Sequence, residues 1–376
     1  MTKEVQAYFL DTLQKLVEIE SVSCHEKRAA EFVAQKLEKM GYTPQLHLVG
    51  EDGANVTARI PGRGEAPALL VGGHIDTVAI QKGWEREPLR LTREDNRLYG
   101  LGASDMKGGI AALLAVLYCL TQNGERPAGD VLFFALADEE GMSSGAELFA
   151  GQGVQAEYCV LAEPHYWEMV VGATGKILLE LTIRGKSGHA ARPEEGVSAI
   201  EEMTTLLYHL DREWRAAYLQ GTIGSHCVLR VWSDYEGYSL NIPECCRALV
   251  NKQMCPDERE EDVIRSIQER FAQCGLRGSL EIQRCRPHYL PYQADQNDPH
   301  LIRLTELAQK KTGKRPPWVI NQSVSDGNII QPRLGIQTVL FGPQGIGFHK
   351  PDEYLLLDTA LEYIEIMYQF LTDCLA

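Results

Sequence analysis

Residues 68–76 read Ala-Leu-Leu-Val-Gly-Gly-His-Ile-Asp, a short apolar run that ends on a histidine and an aspartate. A run this short, closed by glycine, has the pattern of a strand buried on both faces. The pattern recurs. Val131 to Leu136 leads into Ala137-Asp138-Glu139-Glu140, Tyr158 to Leu161 leads into Ala162-Glu163-Pro164, and Thr338 to Phe341 leads into a glycine-rich loop that closes on His349. Helical patterns separate the runs, so the expected class is α/β. Each run delivers an acidic residue or a histidine just past its carboxyl end, the edge where open α/β sheets bind ligands.

Toward the amino terminus, Leu10, Leu13, Leu16 and Val17 recur at helical spacing, as do Phe32, Val33 and Leu37, and Gly41 supplies a C-cap. After the third run the rhythm changes. Ile177 to Ile183 alternates like a half-exposed strand, and residues 197–218 read as a helix. His226 to Trp232 and Arg247 to Met254 read as strands, Glu258 to Phe271 as a helix, and Leu280 to Gln283 as a final strand. The order β-α-β-β-α-β is ferredoxin-like. The expected organisation is a larger α/β domain made of residues 1–174 and 288–376, with an α+β domain, residues 175–287, inserted into it.

At 376 residues the chain is long enough for two domains, and 44% hydrophobic with 24% charged residues is ordinary globular composition. A net charge of −15 speaks against a nucleic-acid partner, which requires a basic surface. None of the ten cysteines forms a C-x-x-C, and several, such as Cys119 and Cys159, sit inside apolar runs, a usage suited to a reducing compartment. The first twenty residues are acidic and amphipathic, without the pattern of a signal peptide, and no apolar run approaches the ~20 residues that span a bilayer. The expected location is therefore cytoplasmic, with no membrane partner.

His74 and Asp76 are two apart on a strand or its extension, so their side chains point to the same side. A carboxylate that accepts one ring N–H fixes the tautomer and leaves the other nitrogen free for a metal. A hydrogen-bonded histidine at a strand end would give the same pattern. Asp105 lies in Gly100-Leu101-Gly102-Ala103-Ser104-Asp105-Met106-Lys107-Gly108-Gly109, ahead of an apolar helix. The glycines suggest crowded backbone, while a simple helix cap is the alternative. Phosphate binding is disfavoured, because the G-x-x-x-x-G-K-[ST] order is absent. The carboxylates of Asp138-Glu139-Glu140 repel one another at the end of a buried strand unless cations compensate them; on an exposed turn they would be solvated. Glu163 and His349 complete a set of two imidazoles and several carboxylates at one sheet edge. That mixture suits two zinc ions about 3.5–4 Å apart, whereas an all-oxygen set would favour magnesium or calcium.

The segments Gly-Gly-His-Ile-Asp-Thr, Gly-x-x-Asp-Met-Lys-Gly-Gly, Asp-Glu-Glu, Ala-Glu-Pro and Phe-His-Lys-Pro-Asp-Glu, in that order from about residue 70 to 355, resemble the motif set of one di-zinc hydrolase family. Its members include acetylornithine deacetylase, succinyl-diaminopimelate desuccinylase, aminoacylase and glutamate carboxypeptidase. The resemblance implies a zinc-peptidase-like catalytic domain, with the inserted domain as a lid and dimerisation module. It implies that His74 and Glu163 bind one zinc, Glu140 and His349 the other, and that Asp105 bridges them, with cobalt or manganese as possible substitutes. By the same resemblance Glu139 is the general base acting on a bridging water, Asp76 supports His74, and a non-proline cis peptide follows Asp105. His189, in Gly188-His189-Ala190, becomes an oxyanion donor offered to the partner subunit of a homodimer. Without the resemblance, His189 reads as a histidine on a surface turn.

The chain departs from the family in the inserted domain. The expected asparagine stands one position before Ile242-Pro243, at Asn241, instead of two. Where the family carries an arginine that grips a substrate carboxylate, this chain has Val250-Asn251-Lys252-Gln253. Glutamine lacks the charged bidentate fork of arginine, so either Lys252 substitutes or the substrate presents no carboxylate there. Ser325-Asp326-Gly327-Asn328 matches a further family segment, with Ser325 as a substrate contact and Asn328 where the desuccinylases have arginine. The expected activity is hydrolysis of an amide bond in a small molecule or peptide, foremost as an N-acyl amino acid deacylase, with a dipeptidase or carboxypeptidase as the alternative.

Overall fold

The computed structural model describes residues 2–221, 223–233 and 239–373. By its internal contacts the chain divides into two compact units. One comprises residues up to Gly172, Gln293–Asn321 and the chain from Ser325 onward; the other comprises Ala173–Tyr292 with Gln322–Val324.

The first unit is built on a mixed sheet whose central order is Gly53–Ile60, Val131–Leu136, Leu69–His74, Tyr158–Leu161 and Gln337–Leu340. The last four of these strands run parallel to one another. Leu69–His74 is buried along its whole length, as its unbroken apolar composition requires. The helix Lys107–Asn123 is apolar nearly all round, and it packs against the sheet and against helices Lys3–Glu18 and Leu357–Thr372. Each fully buried leucine, valine or phenylalanine contributes about 1.5–3 kcal/mol, and this helix alone buries Ile110, Leu113, Leu114, Val116, Leu117 and Leu120. The glycines at its start are a packing requirement. A Cβ on Gly109 would stand 2.0 Å from the carbonyl oxygen of Ala162, so only glycine lets the helix approach the strand end that carries Glu163.

A second, four-stranded sheet in this unit runs Gly345–Ile346, Tyr354–Leu356, Arg97–Tyr99 and Thr92–Glu94, all antiparallel. Its significance is positional. The loop after Tyr99 carries Asp105, and the hairpin between Ile346 and Tyr354 carries His349.

The second unit has the order Gly175–Arg184, helix Ala199–Leu219, His226–Ser233, Cys245–Met254, helix Glu260–Gln273 and Ser279–Tyr289. Numbered within the unit, its antiparallel sheet has strand order 2-3-1-4, the ferredoxin-like arrangement. Alternation along Cys245–Met254 places Cys246, Ala248, Val250 and Met254 in its core with Leu179, Leu181, Leu206 and Leu210. The closing strand continues past Gln283 to Tyr289, which moves the boundary of this unit to Tyr292. Among the described residues, no helix is long and apolar enough to cross a membrane.

Candidate metal centre

Five segments of the first unit meet near the carboxyl ends of its parallel strands. His74 ends its strand and is buried, and Asp76 follows two residues later with no exposure at all. The His74 Nδ1 atom lies 3.2 Å from Asp76 Oδ1, which leaves Nε2 facing the other acidic groups. Nε2 stands 3.1 Å from Asp105 Oδ1 and 4.0 Å from Glu163 Oε1. The other oxygen of Asp105 is 3.4 Å from His349 Nε2, and that nitrogen is 2.7 Å from Glu140 Oε1. Asp105 thus presents one oxygen to each imidazole. The ligating atoms of His74, Asp105 and Glu163 all lie within 4.8 Å of one another, and so do those of Asp105, Glu140 and His349. A further grouping of the same compactness joins His74 with Glu139 and Glu140.

Local structure explains how these side chains are aimed. Asp105 does not cap the helix that follows it. The cap position is Met106, the peptide between the two is cis, and the Asp105 carboxylate turns back to the two histidines. The turn bearing Glu139 and Glu140 is held by Asp76, whose Oδ1 accepts the N–H of Glu139 at 3.1 Å and whose Oδ2 accepts that of Glu140 at 3.0 Å. The Ser23 hydroxyl donates to Oδ2 as well, at 2.8 Å. Asp76 therefore orients His74 and also fixes the acidic turn, a second duty that chain spacing does not reveal.

The electrostatics are those of an overloaded acidic cluster. Burial works against ionisation of Asp105, but hydrogen bonds from His349 and His74 hold its carboxyl well below the usual range. Burial likewise opposes protonation of His74, and contacts with Asp105 and Asp76 outweigh it and raise the imidazole well above its ordinary value. His349 is pushed up to about 10, by its contact with Asp105 first and Glu140 second. Burial pushes the Glu139 carboxyl well up, against the counteracting charge of His74, with Asp326, Glu163 and Glu140 adding to the rise. Glu163 rises for the same first reason, reinforced by Asp105. Carboxylates buried this close together are stabilised by cations.

Three residues outside the sequence-derived set belong to this neighbourhood. Glu26, fully buried, accepts the N–H of Cys24 at 2.6 Å and of Asp138 at 3.2 Å, securing the start of the acidic turn. Asp326 heads the helix Gly327–Leu334 without capping it; burial pushes its carboxyl up to about 7, and its charge acts on Glu139 and Glu163. Glu353 ties the His349 hairpin to Gly102. Glu353 and Asp326 stand inside segments that the resemblance covers, whereas nothing in local spacing distinguishes Glu26 from a surface acid.

The residues expected to contact substrate fare differently. His189 is exposed in the second unit, accepts the Ala191 N–H through Nδ1 at 3.1 Å, and forms an isolated bridge with Asn241. Ser325 is buried at the head of the Gly327–Leu334 helix, where its hydroxyl accepts the Gly327 N–H at 3.2 Å. Lys252 requires correction. Its ammonium is buried and donates to Gly224 O at 3.1 Å, Gln253 O at 2.6 Å and Glu258 Oε1 at 2.8 Å. An ammonium has three donors, so none is left for a substrate carboxylate, and Lys252 does not replace the arginine.

The model of peptidase family M20/M25/M40 matches residues 70–373, nearly all of the chain that carries these groups. The chain belongs to this family. It is 33% identical over 373 residues to an acetylornithine deacetylase of Aliivibrio fischeri, covering 92% of this chain and 93% of that one. It is 28% identical to a succinyl-diaminopimelate desuccinylase of Methylobacterium radiotolerans, over 90% of each chain. Among solved structures, the aminopeptidase PepT of Bacillus cereus superposes with a TM-score of 0.79 over 98% of each chain at 18% identity, a likeness of fold. As a member of the M20/M25/M40 family the protein is a metal-dependent hydrolase, and the family's mixed α/β architecture is the one described here.

Proposed function

We propose that the protein is a di-zinc amidohydrolase that removes the acyl group from an N-acyl amino acid. The observation that carries this reading is Asp105, placed between two imidazoles with one oxygen toward each. The donor set fits two such ions: each half offers one imidazole nitrogen and carboxylate oxygens, a mixture that suits zinc. His74 and Glu163 would hold one ion, Glu140 and His349 the other, with Asp105 shared. When bound, the pair supplies Lewis acidity that lowers the pKa of a water and polarises the scissile carbonyl.

The chain's own residues do the rest. Glu139 is half-buried beside His74 with its carboxyl pushed well up, the condition of a general base that takes a proton and later returns it. It accepts the proton of the attacking water and delivers it to the departing amine nitrogen. Asp76 holds the Glu139 backbone so that the carboxylate does not drift during the exchange. His189, through its free edge on the second unit, is the proposed donor to the developing oxyanion of a partner's site. A homodimer accords with the strand His226–Ser233, which lies at the sheet edge with Leu229 and Val231 more than half exposed. Free thiols such as Cys24, Cys119 and Cys159 support a cytoplasmic location.

The sequestered Lys252 and neutral Gln253 favour substrates that are not gripped by a carboxylate at that position. The names of the curated relatives point to N-acylated amines, so a deacylase is the first reading and a dipeptidase or carboxypeptidase the second. Purified protein loaded with zinc or cobalt, assayed against a panel of N-acyl amino acids and dipeptides, separates them. Hydrolysis of N-acyl amino acids is expected; cleavage of dipeptides alone would overturn the first reading.

A further inference from the structure

His349 is the most exposed of the five expected ligands, and it has the least intrinsic support. It sits on a hairpin in which Gly347, His349 and Asp352 all have left-handed backbone, with φ of 74°, 60° and 57°. The turn therefore depends on outside contacts for its shape. The Gln81 amide donates to the His349 carbonyl at 3.0 Å, and the Asp352 carboxylate accepts the N–H groups of Glu85 and Arg86, each at 3.1 Å. These contacts reach the long segment between His74 and Thr92, and none touches the loop that carries Asp105.

Glu353 does. Its side chain is 2% exposed while that of His349 is 48% exposed. Its Oε1 accepts the Gly102 N–H at 2.7 Å, and its backbone carbonyl accepts the Gly100 N–H at 3.3 Å. Gly100 and Gly102 open the loop that ends on Asp105. The strands on either side are already paired, Tyr354 opposite Tyr99. Glu353 thus extends that pairing by a side chain and clamps the His349 hairpin to the Asp105 loop. The base of the hairpin also runs close against the same loop: a Cβ on Gly345 would stand 2.0 Å from Ser104 Oγ. A buried carboxyl is expensive to keep compared with an apolar side chain of the same size. Here it accepts a backbone N–H of a loop that carries a ligand.

We propose that Glu353 is a positioning residue that sets His349 against Asp105, so that the half-site formed by Asp105, Glu140 and His349 exists only when Glu353 is in place. The proposal rests on the two-ion reading of the centre. A purely structural role would lower the stability of the whole unit and weaken both half-sites together. A positioning role weakens one.

The test is titration of metal-stripped full-length protein with Co2+, read by visible absorption, with bound ions counted by equilibrium dialysis. Wild type is expected to take two ions per chain. Glu353→Ala is expected to keep the first ion at wild-type affinity and to lose the second by about 10–100-fold, the usual effect of removing a group that orients a ligand. Glu353→Gln retains an oxygen acceptor for Gly102 and should recover most of the second affinity. Glu353→Asp keeps a carboxyl group but draws it back by one methylene, so it should behave like alanine; it serves if the alanine variant does not fold. Two ions at wild-type affinity in Glu353→Ala or Glu353→Asp would overturn the proposal, as would equal weakening of both. Fewer than two ions in wild type would instead defeat the reading of the centre on which it rests.

Discussion

Loading the metal-free protein with zinc should release protons, and their number follows from the site. His349, beside Asp105 and Glu140, is pushed up to about 10, and His74 is also raised well above its ordinary value. At neutral pH both imidazoles therefore carry a proton in the metal-free chain. A metal ligand must be the neutral imidazole, so each ion displaces at least one proton. Glu163, raised by burial and by Asp105, can add to the count. The sign is fixed: below these raised values protons compete with the metal, so affinity falls as pH falls and rises as pH rises. Each displaced proton makes the apparent affinity change about tenfold per pH unit. Over pH 6–8 the product of the two binding constants should then change by about 100-fold per unit or more. Calorimetry in buffers of different ionisation enthalpy measures the release directly, and His349→Ala should lower it by one. Binding heats that do not depend on the buffer, with affinities flat from pH 6 to 8, would refute the reasoning that His74 and His349 are charged partners of the carboxylates.

Glu139→Gln should reduce kcat by about 10²–10⁴-fold while leaving two ions bound, measured by steady-state kinetics and metal analysis on the same preparation; loss of an ion would make Glu139 a ligand instead of the base. Lys252→Ala removes one partner of the buried pair with Glu258 and should destabilise the second unit by about 3–5 kcal/mol in denaturant unfolding. Its KM at permissive temperature should stay at the wild-type value, whereas a large rise in KM with unchanged stability would restore Lys252 as a substrate contact. Leu229→Asp combined with Val231→Lys, both on the exposed edge strand, should convert a dimer into monomers in sedimentation analysis without lowering the melting temperature. A wild-type chain that sediments as a monomer would remove the homodimer.

Much of the fold was legible because its signals are local. The apolar runs ending at His74, Leu136, Leu161 and Leu340 are buried on both faces, and such strands declare themselves by composition alone. The alternation of the second unit is equally local, since one face of its sheet is covered by helices Ala199–Leu219 and Glu260–Gln273. What could not be read is long-range. Lys252 looks like a free cation until Glu258 and Gly224 are seen to enclose it. Glu26 looks like a surface acid between two polar residues, and only the fold brings it to the N–H of Asp138. A cap at Asp105 fits the local sequence equally well; Met106 takes the cap position, and the two distant histidines claim the Asp105 carboxylate.

The centre is held by few residues that each perform more than one task, and this explains why its parts are scattered along the chain. Asp76 accepts from Ser23, from the N–H groups of Glu139 and Glu140, and faces His74, so one buried carboxylate couples a ligand, the expected base and the loop at residues 21–26. Its ionisation is opposed by burial and maintained by His74 and Ser23. The hydrogen bonds need the charged form, since an acceptor of several N–H groups is best as a carboxylate. A change at Asp76 must then disturb metal binding and proton transfer together, whereas a change at Glu139 should disturb proton transfer alone. Of the residues expected to meet the substrate, His189 and Asn241 stand in the second unit, which contains none of the loops that carry the expected ligands. A substitution in the second unit, as at position 253, therefore leaves in place the Asp76 carboxylate that holds the acidic turn.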